Sequence, residues 1–204
     1  EDGRAVALIG DKFYHRDFLP AKELEKAYKG WENTLHDINH MGTTHTQGLG
    51  ATSDIRFFIG HNKNVSYDKK SKSVSMDIHV NENTMYGKAW KAYVELCEQA
   101  GQIPNVSVNF NARTKMVKAK ELGIDYKEYG LEEDQYVSYI YDIEPRALST
   151  VFRGACSDEA GCGIGKCPCE ISNSDSDDTE DESLKEKQEL IKRLLIDKLN
   201  QGDK

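Results

Sequence analysis

The sequence predicts an α+β fold rich in strands, with a mostly antiparallel sheet or barrel flanked by helices. Three observations carry this reading. At least seven short segments show strand-like apolar runs or alternation, and only two or three show helical spacing. Several strands follow one another with no helix between them, which a doubly wound parallel sheet does not allow. The chain has 204 residues, enough for one domain with appendages. Charged residues make up 30% and apolar ones 38%, yet ten Tyr, six Phe and two Trp can seed a core. No window of eighteen apolar residues exists, so no membrane span is expected. No basic stretch followed by an apolar run opens the sequence, so it shows no secretory signal as it stands. The net charge of −8 argues against nucleic acid as a partner.

Residues 5–9 form a short apolar run, read as a strand. Residues 21–30 read as a helix, with Pro20 at its opening and Gly30 at its close. Residues 34–40 read as a strand, and 41–53, rich in Gly and Thr, as a loop. A strand is expected at 54–59, then a hairpin of 65–67 and 73–80 around a turn at 68–71. In the hairpin's second arm Val74, Met76, Ile78 and Val80 take one face, and Ser73, Ser75, Asp77 and His79 the other. Asn83 is placed to cap a helix running to about residue 100, with Tyr86, Trp90, Tyr93, Val94 and Cys97 on one face and Gly101 ending it. Residues 104–110 form a strand whose apolar face is Val106, Val108 and Phe110, leaving Ser107 and Asn109 on the other. Residues 113–135 are charged and irregular, and 136–143 and 147–152 are two further strands interrupted by Pro145.

The C-terminal part differs in composition. From residue 170 onward there are eleven acidic against six basic residues, a net −5 of the total −8. Residues 172–183 contain no apolar side chain, cannot bury enough surface to offset their ordering entropy, and read as a disordered acidic tether. Beyond it Leu184, Ile191, Leu194, Leu195 and Leu199 recur at helical spacing among Lys and Glu, an amphipathic helix. The organisation expected is a domain over 1–155, a Cys/Gly-rich segment over 156–169, the tether over 170–183 and the terminal helix over 184–204.

Six histidines (His15, His36, His40, His45, His61 and His79) all precede Ser107. A serine hydroxyl is a weak nucleophile near neutral pH and needs a base within hydrogen-bond reach. On the strand reading, His36 and His40 share a face with Ile38, and His40 ends that strand beside the loop. Ser107 faces away from an apolar stripe, just after the second helix. A His and a Ser on separate strands of one sheet can meet in this way.

The order of motifs adds to this. Asn39-His40 is followed by Phe58-Ile59-Gly60 and the 65–80 hairpin. Then come the helix, Val106-Ser107-Val108-Asn109-Phe110, and Ala147-Leu148-Ser149-Thr150-Val151 leading to Ala155. Over about residues 3–157 this order resembles the prohead maturation serine proteases of tailed bacteriophages, relatives of the herpesvirus assemblin protease. The resemblance implies an assemblin-like fold and a serine endopeptidase that cleaves scaffold and capsid-protein segments, and itself, during prohead maturation. The base would be His40, with His36 in reserve, and the nucleophile Ser107. No cofactor would be required for catalysis. The expected partners are phage scaffold and major capsid proteins, with a homo-oligomer compatible with the sequence and neither nucleic acid nor membrane involved. The place of action would be the bacterial host cytoplasm, inside the assembling procapsid, with the tether and terminal helix serving delivery into the shell.

The sequence departs from the family in three ways. The segment between His40 and Phe58 is long, so His45 and His61 compete as the base. No histidine follows Ser107, which excludes the herpesvirus type of triad. Where phage members often carry a carboxylate just before the closing serine, this chain has Ala147; the nearest carboxylates are Asp142 and Glu144, and Glu144 is the expected orienting residue, with a Ser–His dyad as the fallback. Separately, Cys97 reads as a packed apolar residue, while Cys156, Cys162, Cys167 and Cys169 fall within fourteen residues. Four thiolates can hold a structural zinc tetrahedrally, although Cys-x-Cys spacing is awkward for a finger; reduced idle thiols are the rival reading, and a disulfide framework is not expected inside a bacterial cell. The alternatives to the protease are a catalytically idle capsid-assembly or scaffold module and a zinc-dependent binding module centred on these cysteines.

Overall fold

The structure is a computed structural model that describes residues 3–40, 55–152, 156 and 162–165. The elements are β1 (Arg4–Ile9), β2 (Lys12–Tyr14), β3 (Asp17–Leu19), α1 (Ala21–Ala27) and β4 (Leu35–Ile38), then β5 (Phe58–Asp68), β6 (Ser73–Val80), α2 (Met85–Gln99), β7 (Asn105–Lys118), β8 (Tyr136–Val151) and β9 (Gly163–Ile164). The fold is mixed α+β and rich in strands. One curled sheet runs β2-β3-β8-β4-β5-β6-β1-β9, with β7 paired to β8. Strand β8 pairs in parallel with β3 and with β4; the remaining ladders are antiparallel. Its 16 residues make this possible, since its first half carries β3 and its second half β4 along the same edge. Strand β1 comes close to β7 without a ladder between them among the described residues, so the curl stays open along that seam.

The core fills the inside of the curl. Trp31, Leu24, Ile59, Met76, Ile78, Val106 and Leu148 are buried there. Helix α1 gives way to a 3₁₀ turn at Tyr28–Trp31 that delivers Trp31 into this core. Gly30 in that turn lies against Pro145 of β8, where an added Cβ would sit 2.8 Å from the proline ring. Helix α2 starts at Thr84, whose hydroxyl accepts from the Gly87 N–H at 2.9 Å, one residue later than Asn83. Its indole at Trp90 is buried and donates to Thr150 Oγ1 at 2.7 Å, which docks the helix on β8. No helix among the described residues is long and apolar enough to cross a membrane.

Four local expectations are corrected. The strand expected over 34–40 stops at Ile38, because Asn39 and His40 both take positive φ, 50° and 58°. The strand expected at 54–59 begins only at Phe58, after a 3₁₀ turn at Ile55–Phe57. Part of the charged stretch from 113 is strand: β7 runs on to Lys118 in register with β8, and its far half is exposed, so its sequence carries no apolar stripe. The two strands expected around Pro145 are one. Pro145 falls opposite Phe110 between two register shifts, a bulged stretch where a missing N–H costs little.

Candidate functional site

The site is built on three neighbouring strands. Strands β4 and β8 run in parallel with Asp37 beside Ser149, and β7 pairs antiparallel with β8 so that Ser107 lies opposite Ser149. Laterally paired residues point to one face of a sheet, with Cβ atoms about 5 Å apart. Asp37, Ser149 and Ser107 therefore form a row across the sheet. Asp37 and Ser149 are fully buried and Ser107 is half-buried.

The turn after β4 brings His40 to this row. The Asn39 N–H donates to the Thr150 carbonyl at 2.9 Å, pinning the turn to β8. Two consecutive non-glycine residues in the left-handed region cost about 1–3 kcal/mol each and persist only where the surroundings hold them. With the chain so folded, Nδ1 of His40 lies 2.9 Å from Ser149 Oγ. The Ser149 hydroxyl also donates to Asp37 Oδ1. A hydroxyl has one proton, and a carboxylate can only accept. Ser149 thus gives its proton to Asp37 and accepts from Nδ1–H of His40. This bonding places the neutral imidazole's proton on Nδ1 and makes Nε2 the basic nitrogen.

The opposite face of the same ladder is closed. His36 is fully buried, its Nε2 lies 2.8 Å from Thr150 Oγ1, and its ring meets Trp90 edge to face. Because Trp90 donates to the Thr150 hydroxyl, that hydroxyl is free to donate to His36 Nε2. The His36 Nδ1–H then faces Asn62, whose amide nitrogen is committed to Thr34 and Leu35. Burial drives the His36 pKa down to about 3, so this imidazole is neutral and part of the core.

The remaining candidates lie elsewhere. Glu144 is five residues from Ser149 along β8, about 16 Å at strand rise, and its exposed carboxylate accepts from Arg146 at 2.9 Å. The carboxylate that the fold brings to the partner of His40 is Asp37, not Glu144. Asp142 is exposed and lies 3.6 Å from Arg113. His61 and His79 stack on each other across β5 and β6, their ring centres 5.4 Å apart. His15 is exposed in the turn between β2 and β3. His45 lies outside the described residues.

The four-cysteine set is also corrected. Cys156 and Cys162 are joined in a disulfide, with Cα atoms 5.6 Å apart, which takes both thiolates away from a metal. The reason lies in the fold. Strand β9 pairs with β1 at Ala5 and Val6, and this lays Cys162 beside Cys156 against Val6 and Ile9. Cys167 and Cys169 lie outside the described residues. Cys97 is buried, as its helix face predicts.

Sequence reasoning missed Ser149 and Asp37 as site residues. Ser149 stands inside the Ala147–Val151 motif and Asp37 in the strand before His40, but nothing local marks either, and only the parallel pairing of β4 with β8 makes them partners. Comparison of the chain with protein-family models, curated proteins and solved structures finds no match, so a functional reading rests on this geometry and on the motifs in the sequence.

Proposed function

We propose that the chain is a serine endopeptidase in which Ser107 is the nucleophile and His40 the general base. The single observation that carries this reading is the Asp37–Ser149–His40 hydrogen-bonded chain, whose central member Ser149 is paired across the sheet with Ser107. Ser107 Oγ attacks the scissile carbonyl while His40 Nε2 takes its proton. The C–N bond then breaks as His40 returns that proton to the departing amine. Water, deprotonated by the same nitrogen, hydrolyses the acyl-enzyme and frees Ser107. Ser149 and Asp37 act as positioning residues: they hold the ring's tautomer and place a negative charge two hydrogen bonds from the imidazolium that forms.

The open curl, the strand-end histidine and the serine on the strand after α2 suit the assemblin-like fold that the motif order implies. On that reading the substrates are scaffold and capsid-protein segments of a phage prohead, and the protease itself. The test is Ser107→Ala in the full chain, co-expressed with the scaffold and capsid proteins of its phage. Loss of self-cleavage and of scaffold processing is expected. Processing that continues unchanged would reduce the domain to an idle assembly module.

A further inference from the structure

The open seam between β1 and β7 encloses a cavity of about 350 Å³. That size lies within the range of ligand sites. A smaller cavity, between α2 and the end of β8, measures about 50 Å³, room for only a few water molecules. The walls of the large cavity are mainly apolar: Leu8 from β1, Leu19 from β3, Val106, Val108 and Phe110 from β7, and Ile140 from β8. Tyr14 contributes its ring, because its hydroxyl is held by the Ile9 backbone, accepting from the N–H at 3.1 Å and donating to the carbonyl at 2.8 Å. Polar groups gather where the turn between β2 and β3 borders the cavity, at His15, which is exposed, and Asp17, which is half-buried.

Ser107 is also a wall residue of this cavity, and it is the one residue common to the cavity and to the row beside His40; its side chain lies on the face of β7 opposite Val106 and Val108, so cavity and row meet across the edge of β7 that carries no ladder among the described residues. From this juxtaposition we infer that the cavity receives a large apolar side chain of a peptide substrate, from a residue flanking the bond that Ser107 attacks. The inference rests on Ser107 being the nucleophile and adds the substrate class. An apolar chamber of this size favours an aliphatic or aromatic side chain over a small or charged one, because each buried methylene gains transfer free energy while a buried charge without a partner is penalised. The polar border at His15 and Asp17 suits the peptide backbone outside it. Ala112 and Thr114, which also line the cavity, are exposed on β7, so enlarging either narrows the cavity without opening the core.

The experiment uses two fluorophosphonates, one carrying a methyl and one a phenylethyl group on phosphorus, with the full-length protein. In each reaction Ser107 Oγ forms a bond to phosphorus, the P–F bond breaks, fluoride leaves and the serine proton passes to His40. The phenylethyl probe is expected to label Ser107 at least tenfold faster than the methyl probe. That ratio is expected to fall toward one in Ala112→Trp and, independently, in Thr114→Trp, with circular dichroism confirming that both variants fold. Equal labelling rates in the parent protein, with Ser107 modified by both probes, would overturn the role of the cavity and leave the nucleophile standing. Ser107 unlabelled by either probe would overturn the proposed function and this inference with it.

Discussion

His36 and His40 are four residues apart on one strand and its turn, yet they have opposite surroundings. His36 faces the inside of the curl, where Thr150 and Trp90 enclose it and burial keeps it neutral. His40 has left the strand and hangs on the other face, half-buried, with its Nδ1 on a serine that answers to a carboxylate. The two neighbouring rows of one β4–β8 ladder thus make a packed polar plug and a half-buried imidazole tied to a serine and a carboxylate. A histidine's role follows from which side of the ladder it meets and what shares that side. The residue type and the short distance along the chain say nothing of it.

The contrast can be broken most sharply at the two imidazoles. His40→Ala is expected to lower kcat for peptide cleavage by about 10³-fold or more with little change in folding stability, since it removes the proposed base from a half-buried position outside the core. His36→Ala is expected to act the other way, costing about 2–4 kcal/mol of stability through a buried cavity and an orphaned Thr150. Activity assays and denaturant titration on both variants separate the two roles; equal effects on both readouts would erase the contrast.

Acidification probes the buried member of the pair. Its folded pKa, about 3, lies below the ordinary histidine value of 6.5, so the unfolded chain binds the extra proton first. The stability this group contributes is complete above pH 6.5 and is lost progressively as the pH falls toward 3. The full loss is on the order of 5 kcal/mol. Chemical denaturation between pH 7 and 4 should show the decline in the parent protein and a shallower one in His36→Gln. Parallel slopes would mean that other groups govern acid sensitivity.

A smaller effect sharpens the other side of the ladder. Ser149→Ala cuts the link from His40 to Asp37 while leaving the proposed base and nucleophile in place, and is expected to lower kcat by about 10- to 100-fold with KM nearly unchanged. Glu144→Gln, on the same strand but remote from the row, is expected to leave both constants and the stability within error. A large loss in Glu144→Gln would restore that carboxylate as the partner of His40 and displace Asp37.

Much of this protein is legible in the order of its residues. The apolar alternation of β6, the spacing of Trp90 and Cys97 on α2, and the strand bearing Ser107 follow from local periodicity, because an element that buries one face must repeat its apolar residues at its own pitch. Local pattern also marks His40 and Ser107 as candidates. It does not reveal that Pro145 sits inside one long strand, that β7 continues through charged residues, or that Cys156 and Cys162 are joined. Those depend on which strands become neighbours. The parallel pairing of β4 with β8 joins residues 112 positions apart, and it alone sets Asp37 against Ser149 and excludes Glu144. Periodicity reports which face of a strand is buried; the identity of the residue across the ladder is settled only when the whole sheet closes around its core.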